Sequence, residues 1–216
     1  MSMTAEPVDQ FTIIGRSSSH FTRVTRIFAA ELGVPYTLQV VRDLLSCDAA
    51  EYGGNPALKL PVLKTANGVW YGALNVCRTL ARSSPSRSAK RIIWPEDLAD
   101  PLPANAQELV LQAMATEVSL VMAKAGGATE QNTHVGKMKR SLTNTLAWLD
   151  DNSVNVLDRV GALAELSFLE VSLFCFVTHL EFREVMSVSS YAVLDQFCRR
   201  FSQRSSARDT PYRYDT

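Results

Sequence analysis

The chain has 216 residues, is 46% hydrophobic, and carries 22 basic and 22 acidic side chains for a formal net charge of zero. That length supports one large domain or two modest ones with a self-sufficient core. The charge balance gives no footprint for nucleic acid or an acidic membrane, so neither is expected as a partner.

Phe11 to Ile14, closed by Gly15, reads as a strand after a loose ten-residue lead-in. Apolar residues at Phe21, Val24, Ile27, Phe28 and Leu32 then recur at helical spacing, with Ser19 placed to cap the helix and Gly33 to stop it. Tyr36, Leu38 and Val40 alternate as a second strand. A polar stretch from Asp43 to Asn55 leaves room for one short helix. "LPVLKT", the turn "NG" and "VWY" then read as a hairpin. A helix over about 73–81 closes a β-α-β-(short α)-β-β-α unit, predicted as a mixed sheet with helices on its faces.

Composition then changes. "RSSPSRSAKR" is polar and basic, and "WPEDLADPLP" is rich in proline, which places a linker at 83–103 between a domain at 1–82 and a second at 104–216. The second domain reads as wholly helical. Its helices are expected over about 104–125, over about 134–149 with a break at Asp151-Asn152, through the apolar "ELSFLEVSLFCFVTHLEF", and over about 191–201. The short stretch "NVLDRV" reads as a separate turn of helix. The fold class is therefore α/β plus all-α.

Four cysteines (Cys47, Cys77, Cys175 and Cys198) and three histidines are scattered, without the spacing of a zinc site or a disulfide framework, so no metal is expected. "MSMTAEPVDQ" has neither a basic start nor an apolar core, so no signal peptide is expected. The apolar stretch from Leu166 to Leu180 is too short and interrupted to span a bilayer. A soluble, cytoplasmic protein is the expectation.

Pro61 interrupts an apolar run that otherwise reads as a strand, and proline donates no ladder hydrogen bond. "NPALKLPVL" followed by "NGVWYGALNVCRTLA" resembles the signature of the cytosolic glutathione S-transferase superfamily. "HFTRVTRIFAAELGVPY", "SFLE" and "HLEFR" are similar to further parts of that pattern, so the resemblance runs over about 11–210. It implies a thioredoxin-like first domain with a mixed four-stranded sheet and a helical-bundle second domain.

The resemblance also implies a site. Pro61 is expected to be cis, leaving the backbone of Leu60 to pair with glutathione. Ser19 falls where the family's serine members place the group that hydrogen-bonds the glutathione thiolate, with Ser18 and Ser17 as nearby alternatives. An acid-serine pair at the start of the third helix usually holds the γ-glutamyl end. Here those positions are Gly72 and Ala73, or Ala73 and Leu74 in the alternative register, and no hydroxyl or carboxylate stands at any of them. Lys59, Arg16 and Arg42 are further candidate anchors for an acidic ligand.

The function so implied is conjugation of glutathione, as co-substrate, to a small hydrophobic electrophile, in a homodimer. The helix around Leu109 to Val121, with Met114 and Met122, would supply apolar substrate contacts, or the same residues serve a core or dimer contact. The alternative is a non-catalytic member of the superfamily that serves as a binding or protein-interaction module. Disulfide chemistry asks for a cysteine where Ser19 stands.

Overall fold

A computed structural model describes residues 11–84, 91–127, 129, 132–161 and 165–215. The lead-in and much of "RSSPSRSAKR" lie outside them. The chain divides into two compact units, Met1–Arg87 with Arg213–Thr216, and Ser88–Tyr212.

In the first unit, β1 (Phe11–Gly15), α1 (His20–Glu31), β2 (Tyr36–Val40), a 3-10 turn (Ala49–Tyr52), β3 (Val62–Thr65), β4 (Gly68–Tyr71) and α2 (Ala73–Ser83) follow in order. The sheet order is β2-β1-β3-β4. β1 runs parallel to β2 and antiparallel to β3, and β3 is antiparallel to β4, so the sheet is mixed. This is the four-stranded thioredoxin-like arrangement expected. Ile13, Ile14, Val62 and Leu63 of the central strands are fully buried, as are Val24, Ile27 and Phe28 of α1 and Val76, Cys77 and Leu80 of α2. Each large apolar side chain so buried contributes about 1.5–3 kcal/mol. Ser84 ties the far ends of the two helices, its Oγ donating to the Leu32 carbonyl at 2.7 Å.

Two glycines are required by contact, and the second by conformation as well. A Cβ on Gly15 would lie 2.5 Å from the Thr22 side chain, where α1 turns back on β1. Gly53 has φ +66, and a Cβ there would lie 2.4 Å from Ile14 Cδ1.

The second unit holds β5 (Ile92–Ile93), a 3-10 turn (Pro95–Asp97), α3 (Pro101–Ala125), α4 (Thr133–Gly161), β6 (Leu166–Ser167), α5 (Phe168–Phe182), α6 (Ala192–Phe201) and α7 (Ser205–Arg208). α3 packs on α4 and α5, and α6 on α4 and α5. α5 is apolar nearly all round and buries Phe168, Phe174 and Phe176; the Phe174 ring stacks on Phe201 at 4.5 Å. Ser167 caps it, with Oγ accepting from the Glu170 N–H at 3.0 Å.

Three features differ from the sequence reading. The stretch read as linker contains β5, a 3-10 turn and the first residues of α3, which Asp100 caps by accepting from the Leu102 N–H. Proline suits that first turn because it has no N–H to leave unsatisfied. β5 pairs in parallel with β6, a two-residue ladder too short to leave a periodic signal.

The third is α4, which does not break at Asp151-Asn152 but runs unbroken to Gly161. The polar residues there have partners compatible with helix. Asn152 Nδ2 donates to the Trp148 carbonyl at 2.8 Å, and Asp150 Oδ1 accepts from the Val193 and Leu194 N–H groups at the start of α6. Beyond them Ser153, Val156, Leu157 and Val160 continue the buried stripe. Burial of that stripe outweighs the few tenths of a kcal/mol that each Asp or Asn costs in a helix.

Candidate functional site

The sheet register gathers the candidate residues at one end of the first unit. Ile14 is opposite Val62, and Val62 is opposite Tyr71. β1 therefore leaves the sheet into Arg16–Ser19 at the same end where β3 enters from Leu60-Pro61. β4 leaves there too, into Gly72-Ala73.

The serine segment is a tight turn. The Ser19 N–H donates to the Arg16 carbonyl at 3.1 Å, and Ser17 and Ser18 form its corner. Ser19 is the N-cap of α1, with Oγ accepting from the Thr22 N–H at 3.3 Å. It is half-buried, and its hydroxyl hydrogen is not used by that cap. Ser17 and Ser18 are buried. The Ser17 N–H donates to Asp215 Oδ2 at 2.7 Å, while Ser17 Oγ has no partner among the described residues.

The Leu60-Pro61 peptide bond is cis. The loop before it is held by Asn55, whose Nδ2 donates to the Lys59 carbonyl at 2.7 Å and whose Oδ1 accepts from the Ala57 N–H at 3.0 Å. Leu58 takes a left-handed conformation, φ +52, and packs with Leu60 against Ile14, Val41, Tyr52 and Val62. The backbone N–H and carbonyl of Leu60 have no hydrogen-bond partner among the described residues. An unpaired donor and acceptor at a sheet end suit an extended peptide-like ligand.

Gly72 joins the two loops: its N–H donates to the Pro61 carbonyl at 3.0 Å, with φ +83. It is the N-cap of α2 and supplies no side-chain cap. The helix therefore begins at Ala73, and its first-turn N–H groups lack intrahelical partners, as at every helix start. Asn75 folds back, Nδ2 donating to the Tyr71 carbonyl at 3.1 Å. Tyr71 in turn donates its hydroxyl to the Gly54 carbonyl at 3.0 Å.

The basic candidates are placed differently. Arg16 is committed through Nη1 to the Arg42 carbonyl at 3.1 Å, and Arg42 and Lys59 are exposed. Cys47 is exposed in the loop before the 3-10 turn, and Cys77 is buried in α2. Tyr212 is packed within the second unit: its hydroxyl donates to the Cys175 carbonyl at 2.6 Å and its ring stacks on Phe182.

The sequence reading missed Asn55 and Asp215. A lone asparagine before a proline signals only a turn. Asp215 is 198 residues from the serine it contacts, and no local pattern announces such a pairing.

Residues 18–83 match the family described as glutathione S-transferase, N-terminal domain. No curated protein matches the chain. Among solved structures, a glutathione S-transferase from Methylobacillus flagellatus with glutathione bound has a TM-score of 0.73 at 18% identity, covering 94% of this chain and 99% of its own. One from Methylobacterium radiotolerans, in complex with glutathione sulfonate, has a TM-score of 0.72 at 18% identity, covering 96% and 97%. A glutathione transferase family member from Pseudomonas fluorescens with bound glutathione has 0.73 at 18%, covering 94% and 100%. Residues 18–83 thus match a glutathione S-transferase N-terminal domain, and the chain shares the fold of these solved glutathione S-transferases.

Proposed function

We propose that the protein binds glutathione in its first unit and conjugates it to a small hydrophobic electrophile, with Ser19 stabilising the thiolate. The observation that carries this reading is the Ser19 hydroxyl. Its oxygen accepts from the Thr22 N–H while its hydrogen is left to donate, at a helix start that favours negative charge. The similar structures that hold glutathione or glutathione sulfonate support the choice of ligand.

In this reading the peptide backbone of glutathione pairs with the N–H and carbonyl of Leu60, beside the cis Pro61. Its γ-glutamyl carboxylate meets the first-turn N–H groups of α2 from Ala73 onward, with Gly72 leaving the approach open. Lys59 is close enough in sequence to serve as an outlying charge. Lowering the thiol pKa from about 9 to about 7 requires roughly 2.7 kcal/mol. A hydrogen bond to a charge supplies about 1.5–3 kcal/mol, and the helix start about 0.3–1 kcal/mol. The thiolate sulfur then attacks the electrophilic carbon; a C–S bond forms and the leaving group departs with its electron pair, or the electrons move into a conjugated acceptor. A homodimer in the cytoplasm completes the reading.

A second reading rests on Gly72 and Ala73. Neither side chain can pair with the γ-glutamyl amine or hydrogen-bond its carboxylate. Two missing charge-assisted contacts cost more than about a hundredfold in affinity. On this reading the protein is a non-catalytic binding or interaction module.

Calorimetric titration of glutathione at pH 6.5 and 8, into the wild type and Ser19→Ala, separates the two. Micromolar to low-millimolar binding, with proton release that Ser19→Ala weakens, supports the transferase. No binding up to about 10 mM, an affinity weaker than about −3 kcal/mol, supports the module.

A further inference from the structure

One of the hydrogen bonds that fix the serine turn comes from far along the chain. The Ser17 N–H donates to Asp215 Oδ2 at 2.7 Å, across 198 residues. Asp215 lies in the segment Arg213–Thr216, which belongs to the first compact unit. Its side chain is only 7% exposed. Ser17 is fully buried, and its own Oγ has no hydrogen-bond partner among the described residues. What fastens Ser17 is therefore its backbone N–H, and the acceptor is a carboxylate. A hydrogen bond to an ionised acceptor is shorter and roughly twice as strong as a neutral one.

The other ties that close this turn are longer. The Arg16 N–H reaches Thr22 Oγ1 at 3.4 Å, the Ser19 N–H reaches the Arg16 carbonyl at 3.1 Å, and the Thr22 N–H reaches Ser19 Oγ at 3.3 Å. All three exceed the commonest N–H···O distance of about 2.9–3.0 Å. They are also local, each closing between Arg16 and Thr22. Among the described residues, the Asp215 bond is the shortest that Arg16, Ser17 or Ser19 makes, and it holds the corner of the turn from outside.

We propose that Asp215 is a positioning residue for Ser19. Its carboxylate holds the Ser17 N–H, steadies the turn from Arg16 to Ser19, and so sets where the Ser19 hydroxyl directs its hydrogen. The inference rests on the reading in which that hydroxyl donates to the glutathione thiolate. Asp215 acts through the backbone, from the Ser17 N–H to Ser19 two residues on, and not by reaching the sulfur. A hydrogen bond weakens steeply as it bends away from linear, and a misplacement of about 1 Å at a reacting centre costs about a hundredfold in rate. Loss of the Asp215 bond therefore weakens thiolate stabilisation without removing any group that touches the ligand.

The test compares the wild type, Asp215→Ala and Asp215→Asn, free and with glutathione. Amide hydrogen exchange followed by NMR reads the Ser17 N–H, and ultraviolet difference spectra over a pH series read ionisation of the bound thiol. In Asp215→Ala the Ser17 amide is expected to exchange about tenfold faster, and the midpoint of thiol ionisation to rise by about half a pH unit. Asp215→Asn keeps an acceptor oxygen without the charge, so it is expected to retain most of both wild-type values. A Ser17 amide that exchanges no faster in Asp215→Ala overturns the proposal at its first step. A faster amide with an unchanged thiol midpoint overturns it at the second, because a purely structural bond gives that result. A midpoint that falls equally in both variants overturns it too, because Asp215 then acts as a charge. Failure of the glutathione reading looks different: the wild type itself binds no glutathione up to about 10 mM, and the positioning of a thiolate falls with it.

Discussion

In the second unit His179 Nδ1 lies 2.6 Å from Glu117 Oε1, joining α5 to α3 with both side chains buried. A carboxylate in that position accepts from the imidazole, and removing it leaves a buried polar ring without its acceptor. Glu117→Ala is expected to cost about 3–5 kcal/mol of unfolding free energy, and Glu117→Gln, which keeps an acceptor of the same shape, clearly less. Urea denaturation of the two variants measures the difference. Equal costs would show that the hydrogen bond is not what the pair contributes.

Substitution can separate the cap that Ser19 makes from the role toward a thiolate proposed for it. Ser19→Ala loses the cap on the Thr22 N–H and is expected to lower stability by about 1 kcal/mol. Ser19→Asp keeps a good capping oxygen, so its thermal midpoint should stay within a degree or two of wild type. Its negative charge opposes a thiolate, so glutathione ionisation in the complex should shift to higher pH. Ultraviolet difference spectra of bound thiolate, set beside melting curves, test both halves. If Ser19→Asp leaves thiol ionisation unchanged, the thiolate lies elsewhere.

Gly53 and Gly33 make a controlled pair. Both have φ near +65, but a Cβ on Gly33 meets open space while one on Gly53 lies 2.4 Å from Ile14 Cδ1. Gly33→Ala is expected to cost about 1 kcal/mol, the backbone penalty alone. Gly53→Ala adds displacement of a core isoleucine and should cost at least about 1 kcal/mol more. Chemical denaturation in parallel reads both, and similar values would mean that the core yields to the added methyl.

Glu170, beside the Ser167 cap, has its carboxyl raised above its ordinary 4.5. Burial is the main cause; the charges of Arg204 and Arg200 and the hydrogen bond with Ser167 pull the other way. A carboxyl raised on folding means that the native state holds more protons than the unfolded state just above pH 4.5. Its contribution to stability is therefore favourable at lower pH and is lost as pH rises through the raised value. Glu170→Gln is expected to flatten the loss of stability over that window and to be at least as stable as wild type at pH 7. Melting curves from pH 4 to 7 test this, and a steeper loss in the variant would contradict it.

How much of this was legible depends on the range of the interaction. α1 was readable because Ser19, Gly33 and the apolar spacing between them are local signals. The hairpin was readable from Asn67-Gly68 and its apolar flanks. The break expected at Asp151-Asn152 was wrong because local propensity was weighed without the buried stripe from Ser153 to Val160, or the partners at Trp148, Val193 and Leu194. β5 and β6 were invisible because two residues carry no period. At the candidate site, the serines, Leu60-Pro61 and Gly72-Ala73 were singled out through a family pattern, and the register of β1, β3 and β4 explains why they share one end of the sheet. Asp215 needed three-dimensional proximity, which a single sequence does not encode locally.

The β4 strand has a consequence for the protein as a colloid. All four of its residues are exposed, among them Val69, Trp70 and Tyr71, and it is the last strand of the sheet. An open, apolar strand edge is a template for pairing with another chain. The usual safeguard is long-range repulsion, and a formal net charge of zero with a pI near 6.8 withholds it at neutral pH. Solubility should therefore pass through a minimum near pH 7, with light scattering that rises with concentration there and falls at pH 8.5. A charged residue in place of Val69 should abolish that minimum while leaving the buried core of the sheet untouched.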